Sequence, residues 1–345
     1  QPWTLYFWDK STFEADGVTP FLTGTVRSTF TDPRLTERAS QELSIQLNGQ
    51  AAYERSFGNH NLNALGGVQR EPVDADGFFA FRRYFISPAV DQIFAGGTAE
   101  QNIDNFDLFK RARLSYYGRV GYNFKEKYLA EFLWRADGSY VFPKQGRWGF
   151  FPGISAGWRV SEESFWKNNI TFVNNVKVRG SWGQMGAEPY FLNTSTLAEY
   201  QYLTTMGFSN FVMNDQVMKT LQESRVANKS FTWEVANNSN FGIEGTLFND
   251  KLAFEFDYFV NNRSKILIPM TGSTPSSAGI DGKLPPVNMG KLQNKGWEFK
   301  VSYDASHEDF RYSVSVNGGY AKNKIKFWDE TPGAPEHQET TGRPF

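Results

Sequence analysis

Histidine is the side chain best suited to move protons near neutral pH, and this chain has three: His60, His307 and His337. The first two fall in short polar breaks between strand-like runs and the third in a Gly/Pro/Glu-rich stretch, without metal-ligand spacing among them. The adjacent carboxylates Glu162 and Glu163 open a short helical pattern, where negative charge suits a helix N-terminus better than acid–base work. Asp74-Ala75-Asp76-Gly77 has part of a calcium-loop spacing and lacks the remaining ligands, so it reads as a loop turn. Arg135, Asp137, Gly138 and Ser139 admit two readings. Arg135 and Asp137 would contact substrate hydroxyls, or Asp-Gly marks a turn at a strand end while Arg119, Glu131 and Arg135 pair across neighbouring strands. The second asks less of the sequence. No catalytic residue, metal or cofactor is expected, and no enzyme.

Binding chemistry has better material. Tyr190, Tyr200, Tyr202 and Trp233 stand among Asn, Ser and Thr in a long stretch, residues 184–240. Amphipathic rings of this kind stack on sugars or clamp peptides, and they also pack loops together. These four are the candidate substrate-binding residues.

The elements that must hold them are strands. Over residues 115–124 the even positions Tyr116, Val120, Tyr122 and Phe124 are apolar or aromatic, and the odd positions Ser115, Arg119 and Asn123 are polar. After Lys125-Glu126-Lys127 the alternation resumes with Tyr128, Ala130, Phe132 and Trp134 against Glu131, Arg135 and Asp137, which makes a hairpin. These two strands are expected over residues 112–124 and 128–137, and further ones over 2–8, 20–30, 42–57, 62–71, 150–160, 176–183, 241–248, 252–262, 296–304 and 310–320. Connections at 59–61, 125–127, 249–251 and 305–309 are short, and 161–175 is moderate with a helical turn at 162–166. Those at 72–111, 138–149, 184–240, 263–295 and after 321 are long. A transmembrane barrel with short periplasmic turns and long outer loops produces such alternation.

Composition agrees. The 345 residues are 17% aromatic, with 32 Phe, 15 Tyr and 10 Trp. Mean hydropathy is -0.51, and no apolar run approaches ~18 residues, so no helical span is expected. Strands that alternate would average out as polar in the same way. A net charge of -1 argues against nucleic acid as a partner, and the absence of cysteine leaves no disulfide or thiolate site.

The runs YGRVGYNFKEKYL, RADGS, RWGFFPGISAGWRVSEESF and VKVRGSWGQMG, then FTWEVANNSNFGIEGTLFNDKLAFEFDYFVNNRSKIL and NMGKLQNKGWEFKVSYD, resemble the barrel region of the SusC/RagA family of TonB-dependent outer-membrane transporters. The resemblance covers most of residues 112–326. It departs at Tyr140, Val141, Gly153 and Ala187, in loops and strand starts. It implies an all-β, antiparallel transmembrane barrel, of which residues 1–345 would supply about 10–12 strands of a plugged 22-strand whole. The plug and the C-terminal strands are expected to lie outside this sequence. It also implies a location in the bacterial outer membrane, in contact with its lipid, and import of oligosaccharides or peptides. The implied partners are a SusD-like surface lipoprotein lid and TonB, engaged through a segment absent here; the apolar loop segments Tyr200-Gln201-Tyr202-Leu203 and Ile266-Leu267-Ile268-Pro269-Met270 place the expected docking chiefly on residues 184–240 and 263–295. The competing reading is a soluble secreted β-sheet protein that binds glycans through aromatic loops.

Overall fold

The computed structural model describes residues 4–13, 19–26, 33–85, 89–170, 172–190, 198–213, 216–270, 272–278, 283–307 and 310–345. In chain order the strands are β1 (Thr4–Phe13), β2 (Pro20–Val26), β3 (Arg34–Ser44), β4 (Leu47–Phe57), β5 (His60–Arg83), β6 (Gly97–Phe124), β7 (Tyr128–Ser139) and β8 (Trp148–Arg159). A one-turn helix α1 (Ser164–Lys167) follows. The remaining strands are β9 (Val173–Ala187), β10 (Thr205–Met213), β11 (Gln216–Arg225), β12 (Glu234–Leu247), β13 (Leu252–Ile268), β14 (Val287–His307) and β15 (Phe310–Phe327). The ends of two expected strands, residues 2–3 and 27–30, and part of the short turn at 305–309, residues 308–309, lie outside the described residues.

The chain divides into two compact units, one of residues 1–45 with 72–111 and one of residues 46–71 with 112–345. In the first, β1 pairs with β2 and β3 pairs with residues 73–83 of β5. Residues 72–111, expected as a long loop, are mostly strand. Asp74-Ala75-Asp76-Gly77 is neither turn nor calcium loop: Asp76 Oδ1 accepts from Gln41 Nε2 at 2.9 Å and Asp74 lies 3.1 Å from Lys110. The expected strand 42–57 is two, because the partner changes across Ile45 and Gln46 from residues 73–83 to residues 60–70. A change of partner leaves no mark on alternation.

In the second unit the order is β15-β14-β13-β12-β9-β8-β7-β6-β5, with β4 on β5. Neighbours follow the chain except where the separate hairpin β10–β11 is inserted between β9 and β12. Register fixes the faces. Val120 pairs with Phe132, Phe132 with Ile154, Ile154 with Trp182, Ile243 with Phe256 and Phe256 with Phe299, so one face is apolar from strand to strand. Glu131, Ser155, Arg179, Glu255, Asp257 and Lys300 occupy the alternate positions on the other face. The expectation that Phe132, Trp134, Phe254 and Phe256 share a face opposite Glu131, Glu255 and Asp257 is met, with Phe132 42% and Phe256 41% exposed rather than sealed in a core.

The short turns form one end. Lys125 N donates to Asn59 O at 2.7 Å, Arg159 N to Lys127 O at 2.8 Å, Phe248 N to Phe172 O at 2.8 Å and Asp304 N to Lys251 O at 2.7 Å. Aromatic rings line this end: His60 stacks on Phe57 with centroids 5.4 Å apart, its Nδ1 is 2.6 Å from Tyr122 Oη, and Phe172 stacks on Phe248 at 6.0 Å. Glu163 does not cap α1. Its Oε1 accepts from Tyr128 Oη at 2.7 Å and Trp158 Nε1 at 3.2 Å, which ties the helical turn to the apolar face and holds the carboxyl below its ordinary range. A second ring level begins where Tyr116 stacks on Trp148 and Trp134 on Phe150. The step from Tyr116 to Phe124 spans about 27 Å of strand, or about 21 Å of height at a tilt of about 40°. That is close to the ~25 Å apolar band of outer-membrane barrels.

Candidate functional site

Alternation delivers a column of side chains from each strand to the polar face. Asn63, Asn123, Glu131, Ser155, Arg179 and Asn240, from six strands, line one cavity of about 480 Å³, which requires that face to be concave. Arg179 bonds Glu244 at 3.1 Å, Glu255 at 2.8 Å and Asp257 at 2.6 Å, and Lys177 takes the other oxygen of Glu244 at 2.9 Å. Arg119 and Glu131 pair across strands at 3.7 Å, as the sequence suggested. These charges are committed to one another and hold the wall.

A second cavity of about 290 Å³ lies on the same face at the long-loop end. β6 places Arg113 there, in a bidentate pair with Glu188 at 2.9 and 2.7 Å, with Glu71 3.9 Å away. β7 places Arg135, which donates to Asp137 at 2.6 Å and to Ser115 Oγ at 2.9 Å. Asp137-Gly138-Ser139 is therefore strand, not turn, and the chain reverses only over residues 140–147. Tyr190, half exposed, and Trp233 complete the lining.

Trp233 owes its position to a small core built by the loops. Val141, Phe142, Ala198, Phe231, Trp233 and Leu267 are buried together with Phe151 from the wall. The Trp233 ring is 4.6 Å from Phe142 and edge-on to Phe151 at 5.5 Å, and its Nε1 donates to Arg147 O at 3.3 Å. Phe151 can lie flat against the wall because Gly149 and Gly186 leave room, and a Cβ at either would overlap its ring. Polar clasps join the loops. Asn288 exchanges bonds with the Thr232 backbone at 3.1 and 2.9 Å, and Asn228 Nδ2 donates to Pro286 O at 2.8 Å. Burial pushes the Glu234 carboxyl up, against the opposing pull of the Leu267 N–H at 3.1 Å and of Arg263.

Of the four aromatic candidates, the cleft brings together Tyr190 and Trp233. Tyr200 and Tyr202 lie elsewhere, with Tyr200 6.0 Å from Tyr140 and 6.3 Å from Tyr202, and both Tyr140 and Tyr202 packed on the loop core. Arg113, Glu188 and Glu71 were not singled out by the sequence. Arg113 falls on the same alternate side as Ser115 and Arg119, a signal that was there to use; nothing local marks Glu188. Residues 184–240, expected as one long loop, hold the ends of β9 and β12 and the β10–β11 hairpin. Among the described residues no group of three or more His, Asp or Glu is placed to hold a metal ion.

Residues 2–343 match the family described as TonB dependent receptor-like, beta-barrel. The chain is 30% identical to TonB-dependent receptor P3 of Formosa agariphila over 81% of its own length and 28% of that protein's. It is 26% identical to the TonB-dependent receptor SusC of Bacteroides thetaiotaomicron over 61% of its length and 20% of SusC. In fold it is similar to a chain of the RagAB peptide importer in its closed-closed state, with a TM-score of 0.72 at 21% identity, covering 90% of this chain and 33% of that one. The chain thus spans well under half of the relatives it matches. Its two-faced antiparallel wall, the apolar band with rings at both levels and these similarities converge: the chain belongs to the TonB-dependent receptor β-barrel family of SusC/RagA type, a family of the bacterial outer membrane.

Proposed function

We propose that the full-length protein imports oligosaccharides or peptides across the outer membrane at the expense of TonB, engaged through a segment outside these residues. The short turns then face the periplasm and the long loops face outward, where a SusD-like lipoprotein docks. The observation that carries the reading is the cleft beneath the loop core. Arg113, Glu188, Arg135 and Asp137 are fixed by one another and present donors and acceptors without a large net charge, beside the exposed ring of Tyr190. That combination suits ligands rich in hydroxyl or amide groups and poor in charge. The soluble glycan-binding alternative would leave the apolar face covered by protein, whereas Ile154 and Phe241 are more than half exposed.

Uptake of labelled oligosaccharides and labelled peptides by cells carrying the full-length protein tests this. Tyr190→Ala and Arg113→Ala are expected to lower uptake at least severalfold at unchanged abundance in the outer membrane, and a protonophore to abolish it. Uptake indifferent to both substitutions contradicts the cleft. Uptake indifferent to the protonophore contradicts TonB dependence.

A further inference from the structure

The apolar face changes character at the loop end of β14 and β15. On β13, β14 and β15 it carries Tyr258, Trp297 and Tyr320, joined by register and all exposed. Beyond these rings β13 continues on the same face with Val260 and Asn262, β14 with Lys295 and Gln293, and β15 with Lys322 and Lys324. Lys295 stands directly opposite Lys322, and Gln293 opposite Lys324. All three lysines are exposed, and among the described residues none of them forms an ion pair. Of the carboxylates that follow β15, Asp329 accepts from the Gly272 and Ser273 N–H groups at 2.8 and 3.1 Å, and Glu330 from those of Thr340 and Thr341 at 2.9 and 2.7 Å. Like charges placed opposite each other on paired strands are destabilising. The wall thus carries a local excess of positive charge, on its lipid side, that its own residues do not neutralise.

We infer that Lys295, Lys322 and Lys324 bind the phosphate of a lipid headgroup in the outer leaflet, whose acyl chains lie against Trp297, Phe299 and Tyr320. The inference rests on the proposed orientation, with the long loops outward, and gives the outside of the wall a ligand of its own. Height selects the occupant. Two residues of strand rise about 5 Å at a tilt of about 40°, so the backbones of Lys295 and Lys322 stand about that far above the rings. The headgroup layer is about 5–7 Å deep on each side of the hydrocarbon, and aromatic rings mark its inner boundary. Spacing suits one phosphate. Opposed Cβ atoms are about 5 Å apart and alternate residues of one strand about 7 Å, within joint reach of flexible ammonium groups that hold phosphate as point charges. A soluble anion would meet only exposed charges, which salt screens. A lipid adds apolar contact with the rings beneath and is held at the surface by its membrane, so the same lysines bind it better.

The test uses the full-length protein reconstituted in phosphatidylcholine liposomes doped with lipid A, or with the same lipid stripped of its phosphate, and then extracted in mild detergent. Mass spectrometry counts the lipid A that stays with each protein. The native wall is expected to retain the phosphate-bearing form severalfold more than the stripped one, and millimolar inorganic phosphate to leave it in place. Lys295→Gln with Lys322→Gln should remove the preference while the barrel keeps its heat-modifiable mobility. Lys322→Glu, which gives Lys295 a partner within the wall, should remove it without loss of fold. Equal retention of both lipids, or a preference that survives these variants, overturns the inference; so does displacement by inorganic phosphate, which would make the patch a soluble-anion site. Orientation is read separately, from single cysteines at 339 and 168 and a thiol reagent that does not cross membranes. Labelling of intact cells at 168 alone reverses the proposed orientation and takes the outer-leaflet ligand with it. Labelling at 339 alone, with unselective lipid retention, fails the lysine patch alone.

Discussion

Phe132 lies on β7 and Phe142 in the reversal that follows it, yet the first is 42% exposed and the second fully buried. The difference separates two regions. On the wall, Phe132, Ile154 and Phe256 meet no protein among the described residues on their outer side, so lipid must supply the contacts that water would not. Above it, Phe142, Phe231 and Trp233 have no lipid to rest on and make a core of their own, clasped by Asn228, Asn288 and Arg147. Aromatic residues are thus abundant for two unrelated reasons, and only position along the chain distinguishes them.

The comparison breaks most sharply at Trp233. Trp233→Ala removes a ring packed between Phe142 and Phe151, a loss of about 3–5 kcal/mol for a buried aromatic. The account expects the loops to become protease-sensitive in the folded full-length protein while the barrel's own thermal transition barely moves. If both fall together, the loop core is not a separate region.

On the wall, Ile154→Arg should cost about 2–4 kcal/mol near the middle of the apolar band, whereas Ser155→Arg, one residue on and facing the polar side, should cost much less. Urea unfolding from liposomes reads both. Equal costs would mean that the two faces see the same environment.

The contrast also governs what could be read from sequence. Wall strands were legible because one face meets lipid and the other water, which writes period two into Tyr128 to Trp134 and Leu252 to Tyr258. Where both faces of a strand are solvated the backbone still pairs, but nothing forces alternation. That is why the first half of β6 and the whole of β10 and β11 read as loop; in the outer part of β5 one face is buried, but the buried positions Ala75 and Gly77 are small and leave no apolar alternation beside Asp74 and Asp76. The cleft was half legible: Arg135 and Asp137 stood out beside the Asp-Gly pair, and Tyr190 and Trp233 as loop rings. Arg113 stood inside the expected strand 112–124, on the polar side with Ser115 and Arg119, without a local mark of its own, and Glu188 needed the fold, since its partner lies 75 positions away.

A smaller effect sharpens the loop side. Glu234 is raised by burial, so its folded-state pKa lies above its unfolded value and the protonated form is the one the fold prefers. Stability of the loop end should therefore be greatest below the ordinary carboxylate range and decline as pH rises through it, levelling off above the folded pKa. Protection against hydrogen exchange over residues 263–268, with the intrinsic base-catalysed rate divided out, is expected to fall across that window in the native protein. Glu234→Gln, which keeps an acceptor for the Leu267 N–H, should remove the dependence. Protection that rises with pH would reverse the sign.

The central claim is that one face of this sheet meets lipid and the other does not. The chain has no cysteine, so single cysteines at positions 153 to 158 of the full-length protein can each carry a polarity-sensitive fluorophore in liposomes containing brominated lipid. Labels at 154, 156 and 158 should be blue-shifted and strongly quenched, and those at 153, 155 and 157 neither. Quenching without a period of two, or with the opposite phase, would contradict the account.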